Sequence, residues 1–188
     1  RVVHRGLATS GAFQRFVALV MARWARYPDM HVYHYAPYEP AALKRLMGRY
    51  ATCEEEIDRM LRGQLFVDLF AIVKQGIRAS VESYTIKNLE AFYDYRRPVA
   101  LPDARRALAA IQGCLELDDL VGITDDLKRT IAGYNRDDCI SALRLRDWLE
   151  SIRTGLIAAG ANLPRPELGS AEPAEAVSER QQRVAELA

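Results

Sequence analysis

Two short polar segments have residue types that could do chemistry. Residues 34–39 read His-Tyr-Ala-Pro-Tyr-Glu, so a strand-like segment runs into a carboxylate at a helix start, and residues 134–138 read Tyr-Asn-Arg-Asp-Asp. In the second segment a phenol and a carboxylate four residues apart share one helix face. A carboxylate beside core positions is costly unless it is paired or metal-bound. Carboxylates that converge from separate elements suit Mg²⁺, and a tyrosine one turn away can orient an attacking water.

Helix and strand patterns precede and follow the first segment. Apolar residues from Phe13 to Trp24 fall on one helical face, which predicts a helix capped by Ser10 that ends before Pro28. Residues 30–35 are aromatic and β-branched, which predicts a strand buried on both faces. The next helix is predicted to start at Pro40.

Five further elements are predicted downstream. Thr52 and Glu55 predict a capping box for a short helix that stops at Gly63, and residues 65–73 begin as a strand before turning helical. Three more helices start at predicted caps, namely Ser83 or Thr85, Asp103, and Thr124 for the longest one. The pattern loosens after Arg153, and the prolines that follow predict a linker over 154–188 with a short charged stretch, 174–188, at its end.

Composition places the chain among ordinary globular proteins. Of its 188 residues, 49% are hydrophobic and 27% are charged, which excludes a disordered, collagen-like or disulfide-scaffold protein. The three cysteines, Cys53, Cys114 and Cys139, are widely spaced, so neither a disulfide framework nor a zinc site is indicated and buried, reduced thiols are expected. No charged leader or membrane-length apolar run occurs, so the expectation is a soluble, cytoplasmic protein without a membrane partner.

Charge is unevenly distributed along the chain. Residues 1–50 carry eight Lys and Arg against two acids, whereas residues 51–153 carry 15 against 18 and residues 154–188 carry three against five. The basic N-terminal third could meet a phosphate backbone, with Arg45 and Arg49 among its cations. Arginines on the solvated face of a helix produce the same pattern, and from charge alone that alternative is the more common one.

Both polar segments resemble motifs of a known family. They are similar to the second and third motifs of RNase H-like exonucleases of the DEDD type, tyrosine subclass, which read roughly His-Asn-x-x-Phe-Asp and Tyr-x-x-x-Asp. More closely, residues 31–52, 81–93 and 134–150 resemble RecB-like nucleases that are often fused to a helicase. The likeness spans about Ala12 to Ile152 and is specific, because three separated motifs occur in order.

The resemblance implies roles for individual residues. Glu39 and Asp138 stand where the family's carboxylates bind Mg²⁺ or Mn²⁺, two ions being expected in the parent protein, and Tyr134 takes the water-orienting place. Glu39 is one methylene longer than the aspartate commonest in the superfamily, which could shift or weaken the metal. Asp68 resembles an auxiliary aspartate. The first motif, Asp-x-Glu, has no match, so the remaining carboxylates either lie upstream in the parent protein or do not exist. If the chain is a fragment, the parent is expected to be active and this piece alone is expected to be inactive.

Simpler interpretations exist for each residue. Tyr134 and Asp138 could be a structural tyrosine and a surface acid, and Asp137, which points about 100° away on the helix, could be solvated or support a ligand. His34 is more often a strand histidine with a hydrogen-bond partner than a ligand. Lys87 could approach a phosphate, although a surface lysine on a capped helix is the more common case.

The sequence therefore predicts an α/β protein with an incomplete RNase H-like fold, in which helices flank a mixed central sheet. Residues 1–153 would form the partial nuclease domain, and residues 154–188 would lead to a further domain. The resemblance implies a divalent-metal-dependent nuclease acting on DNA or RNA, of 3′–5′ exonuclease type, with a helicase domain in the same polypeptide. The alternatives are a non-catalytic nucleic-acid-binding module attached to a helicase and a structural scaffold.

Overall fold

The computed structural model describes residues 2–167, 169–172 and 183, with side chains from residue 10 onward. The chain divides into two compact units. The first contains Arg1–Asp68 and Pro164–Ala188, and the second contains Leu69–Leu163. The candidate residues are distributed over both units.

The first unit carries three helices and a pair of strands. In chain order these are α1 (Val2–Arg26), β1 (Val32–His34), α2 (Tyr38–Tyr50), α3 (Glu54–Arg62) and β2 (Phe66–Asp68). The two strands are parallel, and His34 is the register partner of Asp68. This pairing brings together two polar residues that lie 34 positions apart in the sequence.

The apolar face of α1 forms the core of this unit. Phe13, Val17 and Val20 are buried as their spacing predicts, whereas Phe16 from the same predicted face is 41% exposed. They pack with Leu43 of α2, Ile57 and Met60 of α3, and Leu65. The helix begins at Val2, so Ser10 is an interior residue and its prediction as a cap is wrong; the predicted end before Pro28 is confirmed.

Two predicted helix starts in the first unit are also wrong. Helix α2 begins at Tyr38, two residues before Pro40, and α3 begins after Cys53, whose φ of 60° is left-handed, with no side-chain cap. The hydroxyl of Thr52 instead accepts a hydrogen bond from Gln14 Nε2 at 3.1 Å. A tertiary contact has therefore replaced the local capping box.

The second unit is helical. It contains α4 (Leu69–Gly76), α5 (Ile86–Leu89), a 3-10 turn (Glu90–Tyr93), α6 (Leu101–Glu116) and the long α7 (Asp125–Ala158). Helix α7 packs against α4, α5, the 3-10 turn and α6. Its buried residues Asp137, Ser141 and Leu145 recur every four positions and define its inward face.

Caps in the second unit are mostly those predicted. The side chains of Thr85 and Thr124 accept hydrogen bonds from Asn88 N and Leu127 N, at 3.3 Å each. Asp103 is not a cap, because α6 starts after Ala100. Asp103 lies in the first turn of α6 and forms an ion pair with Arg106, three residues later in the same helix. Helix α7 runs five residues beyond Arg153, into the predicted linker.

The sheet differs most from expectation. The described residues contain two parallel strands, so a mixed central sheet is not observed there, although a small parallel sheet flanked by helices remains compatible with an α/β RNase H-like domain. The strand at residues 32–34 is not buried on both faces, since Tyr33 is exposed. Cys139 is likewise exposed, contrary to the expectation for the thiols.

No helix in the described part of the chain is both long and apolar enough to cross a membrane. Of the charged stretch predicted at residues 174–188, only residue 183 lies within the described residues.

Candidate functional site

The turn between β1 and α2 is held by two of the predicted auxiliary residues. The backbone N–H of Ala36 donates to Asp68 Oδ1 at 2.9 Å, and His34 Nδ1 donates to the carbonyl of Ala36 at 2.7 Å. Ala36 has a left-handed φ of 63°, a conformation that a non-glycine residue adopts at a cost. His34 and Asp68 therefore stabilise a strained turn immediately before the helix that carries Glu39.

Glu39 itself is an exposed residue in the first turn of α2. The partial positive charge of the helix N-terminus favours a carboxylate at this place. Behind the turn, burial and the negative charge of Asp68 raise the pKa of Tyr35 to about 12, so its phenol stays protonated at neutral pH. Arg45 and Arg49 are exposed farther along the same helix.

In the second unit, Tyr134 and Asp138 lie one turn apart on α7, and both are half-buried. Lys87 Nζ, from α5, donates a hydrogen bond to the phenol oxygen of Tyr134 at 2.8 Å. The ammonium also lies 5.3 Å from the centre of the Tyr134 ring. Two residues predicted independently are thus in direct contact, although 47 positions separate them in the chain.

Asp138 is paired with an arginine that sequence analysis did not single out. Arg97 Nη1 donates to Asp138 Oδ1 at 2.6 Å. On its other side, Arg97 Nε donates to Glu90 Oε1 at 2.8 Å, and Nη2 lies 2.6 Å from the same oxygen. The guanidinium carbon is 5.7 Å from the centre of the Tyr134 ring. One cation therefore contacts both predicted catalytic residues of α7.

Glu90 connects this arginine to a buried polar network. Ser141 Oγ donates to Glu90 Oε1 at 2.8 Å and lies 2.9 Å from the hydroxyl of Tyr93. Burial alone would lower the pKa of Arg97, but hydrogen bonds to Glu90 and Asp138 outweigh it and the pKa is raised. The guanidinium stays charged under all ordinary conditions.

Asp137 is a buried structural residue. It is 2% exposed, so the interpretation as a solvated residue is wrong. Its Oδ1 accepts from the hydroxyl of Tyr95 at 3.2 Å, and its Oδ2 accepts from the backbone N–H of Val99 at 3.1 Å. Burial, followed by the charge of Asp137 and its hydrogen bond, raises the pKa of Tyr95. Asp137 thereby anchors the segment that presents Arg97.

Comparison with known proteins gives a family. Residues 2–150 match the sequence profile of the RNase_H_2 family, of the RNase H superfamily. The chain belongs to the RNase H superfamily. Searches of characterised proteins and of solved structures each returned no significant match. The matched range of the RNase H superfamily domain contains all candidate residues of both units.

The candidate residues of this RNase H superfamily domain fall into two groups. His34, Glu39 and Asp68 lie in the first unit, and the residues of the second are Lys87, Tyr134, Asp137 and Asp138. Within the described residues, no group of three or more His, Cys, Asp or Glu side chains could hold a metal ion.

Sequence reasoning missed Glu90 and Arg97. Glu90 lies in the 3-10 turn and Arg97 in the irregular segment after it, so no regular helix or strand pattern marks them as a pair, and Arg97 meets Asp138 across 41 positions. Lys87, Glu90 and Arg97 also line an open cavity of about 590 Å³. A buried arginine is recognisable only once its partners are known.

Asp137 supports a prediction about folding. We expect Asp137→Ala to lower the free energy of unfolding of the RNase H superfamily domain by about 2–3 kcal/mol, because it leaves two buried donors without an acceptor. Urea unfolding followed by circular dichroism would measure this change. The matched control is Asp126→Ala, an exposed aspartate on the same helix, which should change the stability by less than about 0.5 kcal/mol. Equal effects of the two substitutions would contradict the assigned role.

Proposed function

We propose that this RNase H superfamily chain is part of a divalent-metal-dependent nuclease that hydrolyses phosphodiester bonds of DNA or RNA, acting as a 3′–5′ exonuclease. The observation that carries the proposal is the side-by-side placement of Tyr134 and Asp138 on α7, with Lys87 on the phenol, inside the matched range. The resemblance to RecB-like nucleases supports a helicase domain in the same polypeptide.

Each residue has a distinct proposed role. Tyr134 orients the water that attacks the phosphorus. Because Lys87 donates to the phenol oxygen, it uses one lone pair of that oxygen and restricts the directions in which the phenolic O–H can point. Glu39 and Asp138 are the proposed ligands for Mg²⁺ or Mn²⁺, which would stabilise the charge that develops on the phosphate. The remaining ligands would come from an upstream Asp-x-Glu motif.

A nuclease assay tests this proposal directly. End-labelled single and double strands of DNA and RNA are incubated with Mg²⁺ or Mn²⁺, using this chain and a longer polypeptide that includes the residues upstream of it. We expect the longer polypeptide to shorten strands from the 3′ end, and this chain to show no appreciable cleavage. Robust cleavage by this chain alone would contradict the proposed need for upstream carboxylates, and no cleavage by either would contradict the nuclease assignment.

The contact between Lys87 and Tyr134 leads to a kinetic prediction. In the longer polypeptide, Tyr134→Phe and Lys87→Met should each lower kcat about 100-fold, which is the lower end of what a positioned proton-transfer group contributes. The double variant should be little worse than either single variant, since both changes disturb one hydrogen bond. Calorimetry should find Mn²⁺ affinity nearly unchanged in Tyr134→Phe. Multiplicative losses in the double variant would mean that Lys87 acts independently of the phenol.

A non-catalytic nucleic-acid-binding module is the second candidate. The observation that favours it is the ion pair between Asp138 and Arg97, which already satisfies the carboxylate without a metal. The exposed cations Arg45 and Arg49 on α2, in the basic N-terminal third, would supply phosphate contacts. In this case binding would be electrostatic and independent of divalent cations.

Salt dependence of binding tests the role of these arginines. We expect the Arg45→Ala/Arg49→Ala variant to bind single-stranded nucleic acid more weakly than the wild-type chain at low salt. The slope of log K against log salt should fall by about 0.7 for each phosphate that the variant no longer neutralises. Fluorescence anisotropy with a labelled oligonucleotide measures both quantities. Arg106→Ala/Arg129→Ala removes two exposed arginines that pair with acids on their own helices, and it serves as the control of equal charge. An equally large weakening in the control would show that only net charge matters.

A further inference from the structure

The Arg97 side chain is the most completely enclosed cation of the candidate site. It is 7% exposed, between the Glu90 side chain at 11% and the Asp138 side chain at 41%. Its guanidinium contacts one oxygen of each carboxylate at 2.6 Å. Two carboxylates that contact one position are an arrangement that oxygen-seeking divalent cations also favour. In this chain an arginine takes that position.

The surroundings hold Arg97 in place. Glu90 Oε1 accepts a hydrogen bond from Arg97 Nε and forms an ion pair with Nη2, and Ser141 Oγ donates a further hydrogen bond to the same oxygen. Asp137 binds the backbone of Val99, two residues after Arg97, so the main chain is anchored as well. Because an arginine fork presents its donors in one plane, these contacts also determine where the Asp138 carboxylate lies.

We propose that Arg97 is a positioning residue: its guanidinium takes the place of a divalent cation between Glu90 and Asp138 and holds the Asp138 carboxylate without a metal. A divalent cation that approaches Asp138 is then repelled by the fixed positive charge of Arg97. In addition, Asp138 Oδ1 already accepts a hydrogen bond from that guanidinium. This inference goes beyond the proposed function, because it concerns the free chain and holds whether or not the chain cleaves nucleic acid. It predicts that loss of Arg97 uncovers a divalent-cation site.

Mn²⁺ binding to the 188-residue chain tests the inference. Calorimetry and thermal unfolding compare the wild type with Arg97→Gln, in EDTA and in Mg²⁺ or Mn²⁺. We expect the wild-type melting temperature to be the same in EDTA and in Mg²⁺. Arg97→Gln should have a lower melting temperature than the wild type in EDTA and should recover part of this loss in Mg²⁺. It should bind Mn²⁺ about tenfold more tightly than the wild type, because the positive charge that repels the cation from the two carboxylates has been removed.

Two controls separate positioning from a purely structural role. Arg97→Gln/Asp138→Asn should lose the response to Mg²⁺ and Mn²⁺, and Arg106→Gln, at an exposed arginine paired with Asp103, should not gain one. A purely structural arginine would lower the melting temperature in both solutions without any rescue by cations. Mn²⁺ affinity of Arg97→Gln no higher than that of the wild type, or a gain that persists with Asp138→Asn, would overturn the inference.

Nuclear magnetic resonance of the wild-type chain decides the matter if Arg97→Gln does not fold. The Nε–H signal of Arg97, identified by its loss in Arg97→Lys, should exchange slowly with water because the group is enclosed and donates to Glu90. It should also be unchanged by added Mg²⁺. Rapid exchange, or a shift on addition of Mg²⁺, would show that the guanidinium is not a fixed occupant of this position.

Discussion

Asp138→Ala should reduce metal-dependent cleavage by the longer polypeptide about a thousandfold, and Glu39→Ala should have a similar effect. A ligand carboxylate that helps to bring a cation to the phosphate supports several kcal/mol of transition-state stabilisation, and each 1.36 kcal/mol is about tenfold in rate. Single-turnover kinetics on an end-labelled strand, at saturating Mg²⁺, would measure the loss. Asp138→Asn should show a comparable loss, because it keeps the side-chain shape but removes the charge.

Two exposed acidic residues on helices serve as controls for this prediction. Glu54 is an exposed acid in the first turn of α3, as Glu39 is in α2, and Asp126 is an exposed acid on α7. Alanine at either position should leave the cleavage rate within about twofold of the wild-type rate, since surface substitutions away from special features are close to neutral. Wild-type rates in both Asp138→Ala and Glu39→Ala would exclude the proposed site.

The second large effect concerns stability. Arg97→Ala should lower the free energy of unfolding by about 3–5 kcal/mol, because it leaves Glu90 as a buried charge without its partner. For a chain of this size the melting temperature should fall by about 10 °C. Urea unfolding and thermal unfolding of the 188-residue chain, both in EDTA, would measure the two quantities. Glu90→Ala should be similarly costly, since it leaves the enclosed guanidinium with only the half-exposed Asp138.

A double-mutant cycle tests whether this loss comes from the pair. In Glu90→Gln/Arg97→Met both charges are absent, and we expect the double variant to be more stable than either single variant. Arg106→Ala, at an exposed pair on α6, should cost less than about 1 kcal/mol. Additive losses at Glu90 and Arg97 would mean that the ion pair is not the source of the stability.

The ion pair with Arg97 also determines how loss of Asp138 changes the stability. In a crowded carboxylate site without a metal, removal of one like charge would leave the stability unchanged or raised. Because Asp138 is the partner of Arg97, Asp138→Ala should instead cost about 1 kcal/mol, a modest amount because the Asp138 side chain is 41% exposed and screened by water. Glu39 is exposed at a helix start and has no comparable contact in the described residues. Glu39→Ala should therefore leave the free energy of unfolding nearly unchanged.

The sequence by itself determined the local elements and the faces they present. The spacing of Phe13, Val17 and Val20 predicted the buried face of α1, and a change from strand to helix was predicted within residues 65–73, where the structure places it after Asp68. Thr124 was recognisable as a cap, and Thr85 was one of two candidates together with Ser83. The placement of Tyr134 and Asp138 on one face of α7 follows directly from the helical repeat. All of these depend on residues within a few positions of one another.

Only the tertiary structure decided which charges meet. Lys87 reaches Tyr134 across 47 positions, and Arg97 reaches Asp138 across 41. The helical repeat shows that Asp137 and Asp138 point in different directions, but it does not show that the first is buried under Val99 while the second faces a guanidinium. That outcome depends on how the segment between the 3-10 turn and α6 packs on α7. The free energy of a buried charge is set by its partners, and those partners come from distant parts of the chain.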